Sequence, residues 1–184
     1  MIDLIVKLAT GARAAVALVA FGLGGTLLFR LSPYGAIKTL LDGDSLPEET
    51  ITSPDRLSEV LQTLGAAGRE LYVQFQVWDL ANPILIGAAG AMLLGWLLKR
   101  GQRASSNWRM VVVLPVAMLA ADLLENLVIS IAVGAFPDRT AVGNALPLVT
   151  ATKFGAALAT IASVVLLAAL WFRDRLAGAH RRTP

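Results

Sequence analysis

Four stretches of this chain stay apolar for longer than a soluble fold requires: residues 14–31, 77–98, 110–136 and 146–172. Crossing the hydrocarbon of a bilayer takes about 20 mostly apolar residues in one helix. Inside lipid the backbone must satisfy its own hydrogen bonds, and a helix does so within a single segment. The runs therefore predict an all-α membrane protein: a bundle of four transmembrane helices forming one domain over residues 1–184. Composition agrees, with 56% of residues hydrophobic and 16% charged, where soluble domains carry about a quarter charged. The first run sits where a signal peptide would, but no cleavage site follows it, so it is expected to be retained as a span.

Charge sets the expected orientation. The link between the second and third runs carries Lys99, Arg100, Arg103 and Arg109 without an acid, and the tail carries Arg173, Arg175, Arg181 and Arg182 against Asp174. The first loop instead holds Asp42, Asp44, Glu48, Glu49, Asp55, Glu59 and Glu70. Basic loops stay in the cytoplasm, so both termini are expected there, with the acidic loop external and the chain in a bacterial inner membrane. The net charge of +3 does not imply a nucleic-acid partner, because the basic residues cluster at span ends as topology signals. There are no cysteines, and the one histidine, His180, lies in the basic tail. Disulfides, iron–sulfur clusters, thiolate metal sites and ordinary haem or zinc ligation are thereby disfavoured; no cofactor or metal is expected.

The external loop carries a helix signature over residues 54–66. Ser53 is a plausible N-cap, Pro54 suits the first helical position and Asp55 the first turn. Leu57, Val60, Leu61 and Leu64 share one helical face. Such an amphipathic helix would lie on the membrane or over the bundle mouth, with Gly65 and Gly68 bending or ending it. Tyr72, Trp78 and Trp108 suit either interfacial anchoring or packing.

Polar residues interrupt the spans at one depth. Counted at about 1.5 Å per residue from the basic end of each span, Asp79, Asn82, Asp122, Glu125, Asn126, Lys153 and Arg30 all lie roughly 20–30 Å up. Asp122, Glu125 and Asn126 share one helix face, as do Asp79 and Asn82. Pro83 cannot donate to the carbonyl of Asp79, so a kink with a free acceptor is expected there. An acid at mid-span costs about 2.5–3.5 kcal/mol on insertion scales, so these groups are expected to face the bundle interior. Lys153 and Arg30 are the cations available to pair with Asp79, Asp122 and Glu125, leaving one formal negative charge over. Polar residues can serve only as helix glue, but an intramembrane ionisable cluster marks a functional site by default.

The succession "SPDRLSEVLQTLGAAGRELYVQFQVWDLANP", then "ADLLENLV", then a lysine in the last span resembles a group of small uncharacterised bacterial four-helix membrane proteins. Their pattern is an Asp/Pro span, a D-x-x-E-N span and a lysine in the last span. The likeness covers residues 53–170 and implies Asp79, Pro83, Asp122, Glu125, Asn126 and Lys153 as site residues, with Arg69 and Tyr72 at the span entrance. It implies an architecture and no chemistry.

Three functions compete. In the first, the cluster binds or transports a cation, a lipid headgroup or a small amphiphile from the membrane. In the second, a carboxylate acts as general acid or base on a lipid-soluble substrate, with hard-oxygen binding of Mg²⁺ or Ca²⁺ by Asp79, Asp122 and Glu125 as a variant. In the third, the chain is an accessory subunit of a membrane complex. Small residues four apart (Gly87, Ala91, Gly95; Ala151, Gly155, Ala159, Ser163) are read as packing faces within the bundle, or as faces for a homo-oligomer.

Overall fold

The computed structural model describes residues 1–180, with side chains through Ala177; the tail arginines Arg181 and Arg182 lie outside the described residues, as does the side chain of His180. Among the described residues seven α-helices follow one another: α1 Ile2–Leu8, α2 Gly11–Leu31, α3 Tyr34–Leu40, α4 Pro54–Asp79, α5 Ala81–Arg100, α6 Val113–Ala135 and α7 Leu146–His180. Short 3₁₀ turns at Pro47–Glu49, Asn107–Val112 and Ala141–Ala145 join them, and no strand occurs among the described residues. Four helical segments are long and apolar enough to cross a membrane: Gly11–Leu31, Pro54–Arg100, Asn107–Ala135 and Ala141–Ala177. This is the architecture of a multi-pass helical membrane protein.

The helix α5 sits at the centre, packing against α1, α2, α6 and α7. Glycine makes this closeness feasible. A Cβ at Gly95 would stand 2.6 Å from the Cβ of Ala9, and one at Gly90 3.0 Å from the Cβ of Pro115. Gly87, Ala91 and Gly95 are all buried, so the stripe on α5 is a packing face within the bundle. The corresponding stripe on α7 differs, because Gly155 is exposed and has open space where a Cβ would be. The outward faces of α2 and α7 are apolar, with Val19, Leu23, Leu158, Ile161 and Val165 each 59–68% exposed.

Sequence boundaries moved most around the second span. The expected helix at 54–66 is the first part of a longer helix, and the expected span at 77–98 starts on the last residues of that helix and continues as the next one. The helix α4 starts with Ser53 accepting from the amide of Arg56, bends at Gly65 (φ 63°, ψ −174°) and continues to Asp79, where one residue, Leu80, separates it from α5. Gly65 takes a backbone conformation that side chains resist. Gly68, by contrast, stays helical and lets Leu40 and Leu64 approach. The break at Leu80 falls where Pro83 withholds an amide from the carbonyl of Asp79. Leu57, Val60, Leu61 and Leu64 are all buried in a core shared with Ile37, Leu41, Val128, Ile129 and Val133. Tyr72 is buried in the same core, whereas Trp78 and Trp108 are 46% and 40% exposed. The helices α1 and α3 carried no signal in the sequence reading; each is seven residues long and too short to show periodicity.

Candidate functional site

The helix α6 contributes three polar groups to its buried face. Asp122, Glu125 and Asn126 recur at i, i+3 and i+4, and all are at most 7% exposed. Facing them from α7 is Lys153, 8% exposed, one turn beyond Thr150. The Lys153 ammonium donates to Glu125 Oε2 and lies 3.6 Å from Asp122 Oδ1. The Thr150 hydroxyl donates to Glu125 Oε1. Glu125 is thus wholly enclosed with both oxygens engaged, which is how a bundle can hold a carboxylate away from water.

The C-terminal end of α4 supplies Asp79, which accepts from Asn126 Nδ2 at 3.1 Å. No cation pairs with it among the described residues. Asn82, half-buried on the first turn of α5, lines the same cleft. The sequence-derived residues Asp79, Asn82, Asp122, Glu125, Asn126 and Lys153 therefore converge. Arg30 does not: it is exposed on α2 and forms no ion pair among the described residues. Its expected pairing with the acids is corrected on that ground. A long arginine near a helix end keeps its charge in polar surroundings more readily than it enters a bundle. Arg69 is likewise engaged elsewhere, donating to the Leu61 carbonyl and lying over the Phe136 ring at 4.3 Å.

The sequence reading missed the roof. The turn Pro47–Glu49 from the first loop folds onto α4 and α6 and brings in two further acids. The carbonyl of Glu48 accepts from Lys153 Nζ at 2.8 Å, and its Oε2 accepts from the Tyr72 hydroxyl at 2.5 Å. Glu48 Oε1 is buried without a partner. Burial pushes the Glu48 carboxyl up to about 8, against the lowering effect of Tyr72 and with the nearby Asp79 and Glu125 adding to the rise. Glu49 has the opposite setting: although burial opposes it, bonds from Tyr34, Lys38 and the Leu46 amide hold its carboxyl below the usual value. The Tyr34 hydroxyl is itself pushed up to about 12, first by burial and then by Glu49. Only the acidity of this loop was legible, and a loop rich in acids gives no sign of which one turns inward.

Between roof and helices lies a partly open cleft of about 140 Å³, lined by Glu48, Glu49, Asp79, Asn82, Asp122 and Lys153 together with Phe29, Tyr34, Leu46 and Phe75. Its three aromatic rings form a chain, Phe29 to Tyr34 at 4.8 Å edge-on and Tyr34 to Phe75 at 5.7 Å. Among the described residues no three acidic or histidine side chains are arranged to hold a metal ion. No family model matches the chain, and no curated protein or solved structure matches it either.

Proposed function

We propose that the protein binds a membrane-partitioning amphiphile whose head is an organic cation, an amine or quaternary ammonium, seated in the cleft beside Asp79. One observation carries this reading: a carboxylate without a cationic partner shares a cleft with three aromatic rings. Asp79, Asp122 and Glu125 stand formally against Lys153 alone, and Lys38 already balances Glu49 at 3.0 Å. Two formal negative charges remain in excess, and Asp79 is the acid with no cation within ion-pair distance among the described residues. Aromatic faces attract a cation by about 0.5–1 kcal/mol each when exposed and about 2 or more when desolvated. They also tolerate alkyl substituents that a strongly hydrated metal ion lacks. The Lys153 ammonium occupies the space between Asp122 and Glu125 that a bound metal would need, which favours an organic head at the free acid.

The test is thermal unfolding in a neutral maltoside detergent with decyltrimethylammonium added. At a concentration of 100 times Kd, binding stabilises by about 2.7 kcal/mol, and decyl sulfate does not. Asp79→Asn keeps the fold and loses this response. If wild type and Asp79→Asn respond alike, the reading fails.

A second reading rests on Glu48. A carboxyl near 8 with one free oxygen suits general acid or base chemistry on a lipid-soluble substrate. Glu48→Gln would then abolish turnover in membrane lipid extracts while leaving ammonium binding intact. Copurification with a constant set of other chains would instead favour an accessory subunit.

The topology belongs to the same proposal: both termini cytoplasmic, the roof external, the membrane a bacterial inner membrane, and the family the four-helix group described above. A cysteine at Glu59 should react with an impermeant maleimide in intact cells, and one at Ser105 should not. The reverse pattern would invert the topology.

A further inference from the structure

On the other side of Asn126 a second recess opens between α4 and α6. Its volume is about 220 Å³, and Val73, Gln76, Val77, Leu80, Leu123, Asn126, Leu127 and Ser130 line it. The rim is apolar and faces outward, with Val77 66%, Leu127 55% and Val73 47% exposed. The floor is polar and incomplete. Gln76 is 3% exposed, and neither its amide nitrogen nor its amide oxygen has a partner; Asn126 is 2% exposed, and its Oδ1 has none.

Buried polar atoms are nearly always hydrogen-bonded, and each orphan costs about 1–3 kcal/mol. Three such atoms on two side chains that line one recess are therefore a signature of an occupant that supplies their partners. The chemistry required can be read from them. Gln76 Nε2 needs an acceptor, while Gln76 Oε1 and Asn126 Oδ1 need donors. The amide of Asn126 cannot turn to help, because its nitrogen must face the Asp79 carboxylate. No charged residue lines the recess, so neither a phosphate nor an ammonium would find a counterion there.

We propose that this groove holds a single membrane amphiphile with an uncharged head that both donates and accepts hydrogen bonds, a hydroxyl or a primary amide, with its alkyl chain leaving across the Val77 and Leu127 rim. A helix, about 10–12 Å thick with its side chains, is too wide to enter. A head with its first methylenes fits. The groove is distinct from the ammonium cleft but shares Asn126 with it. A donor on Asn126 Oδ1 locks the amide in the orientation that serves Asp79, so occupancy of the groove steadies the carboxylate of the cleft.

The experiment uses the full chain in phosphatidylcholine nanodiscs and a diazirine-bearing monoacylglycerol as the probe. Photolabelling is expected on peptides of α4 and α6, competed by unlabelled monoolein and not by lysophosphatidic acid. Gln76→Leu, which removes two orphan atoms and should fold at least as stably, is expected to lower labelling at least tenfold. Leu127→Trp, which fills the mouth and leaves the floor intact, should do the same. Decyltrimethylammonium, the probe of the cleft, should not compete the label away, so the two sites fail separately. Labelling unchanged by both groove variants would overturn the proposal, as would equal competition by the phosphate-headed lipid. So would efficient disulfide dimers from Val77→Cys in the membrane, which would make the groove a contact between copies.

Discussion

The two ends of the bundle are built on opposite principles. Around Lys99 the helices α1, α5 and α7 and the turn Asn107–Val112 meet through Val6, Leu94, Leu97, Leu98, Val112 and Leu167, a dry core with glycine at its closest approaches. Polar groups there stay at the margin: the Lys99 ammonium caps α1 by donating to the carbonyls of Lys7 and Ala9 at 2.9 and 2.8 Å. Around Glu125 the helices α4, α5, α6 and α7 instead bring together carboxylates, an ammonium and a loop turn, with two recesses beside them. A bundle that needed only stability could have repeated the dry end twice. Replacing a buried ion pair by packed apolar groups is often neutral or favourable, so stability alone does not account for the polar end, and the binding proposed above would.

The comparison breaks most visibly at Lys153. Lys153→Met leaves Glu125 and Asp122 buried without their cation, with an expected loss of about 3–5 kcal/mol. Adding Glu125→Gln should restore most of it, because Glu125 is the fully enclosed partner. Thermal unfolding in detergent checks both; a single variant as stable as wild type would mean that the cluster is hydrated rather than enclosed.

At the dry end the counterpart is Gly95→Leu, which drives a side chain into Ala9 and the backbone of Val6. Overpacking of this kind costs about 1–3 kcal/mol. Gly155→Leu on the open face of α7 should change monomer stability little. If it instead lowers the mass of the detergent-solubilised particle, that face joins copies of the chain.

A smaller effect follows pH. The Glu48 carboxyl stands near 8 in the fold against an ordinary value of 4.5. A raised carboxyl binds more protons folded than unfolded, so its contribution is full below about 4.5 and is lost as pH rises toward 8. Wild type should therefore lose stability over that window, and Glu48→Gln should flatten the profile. A profile that rises through the same window in wild type alone would contradict the enclosed roof.

Least sensitive are the exposed pairs of the loop. Arg139 and Asp55 bond at 2.5 Å but are 68% and 73% exposed. Asp55→Asn should cost no more than about 1 kcal/mol, and less in high salt.

What the sequence by itself determined was written in period and hydropathy. Four runs of sufficient length forced helices, because lipid leaves the backbone no other partner. The i, i+3, i+4 spacing of Asp122, Glu125 and Asn126 placed them on one face, and shared depth aligned them with Asp79, Asn82 and Lys153. These are local or one-dimensional facts, and the chain states them directly. What only the tertiary structure decided depends on how the chain returns on itself. That Glu48 rather than Glu70 roofs the cleft, that Tyr72 turns inward to meet it, and that Arg30 stays outside are all set by where the Pro47–Glu49 turn docks. The orphan amide of Gln76 is equally silent in sequence: a glutamine in a span reads as any polar residue until its neighbours are seen to offer it nothing. Side-chain partnership between distant segments depends on packing, and packing carries no period.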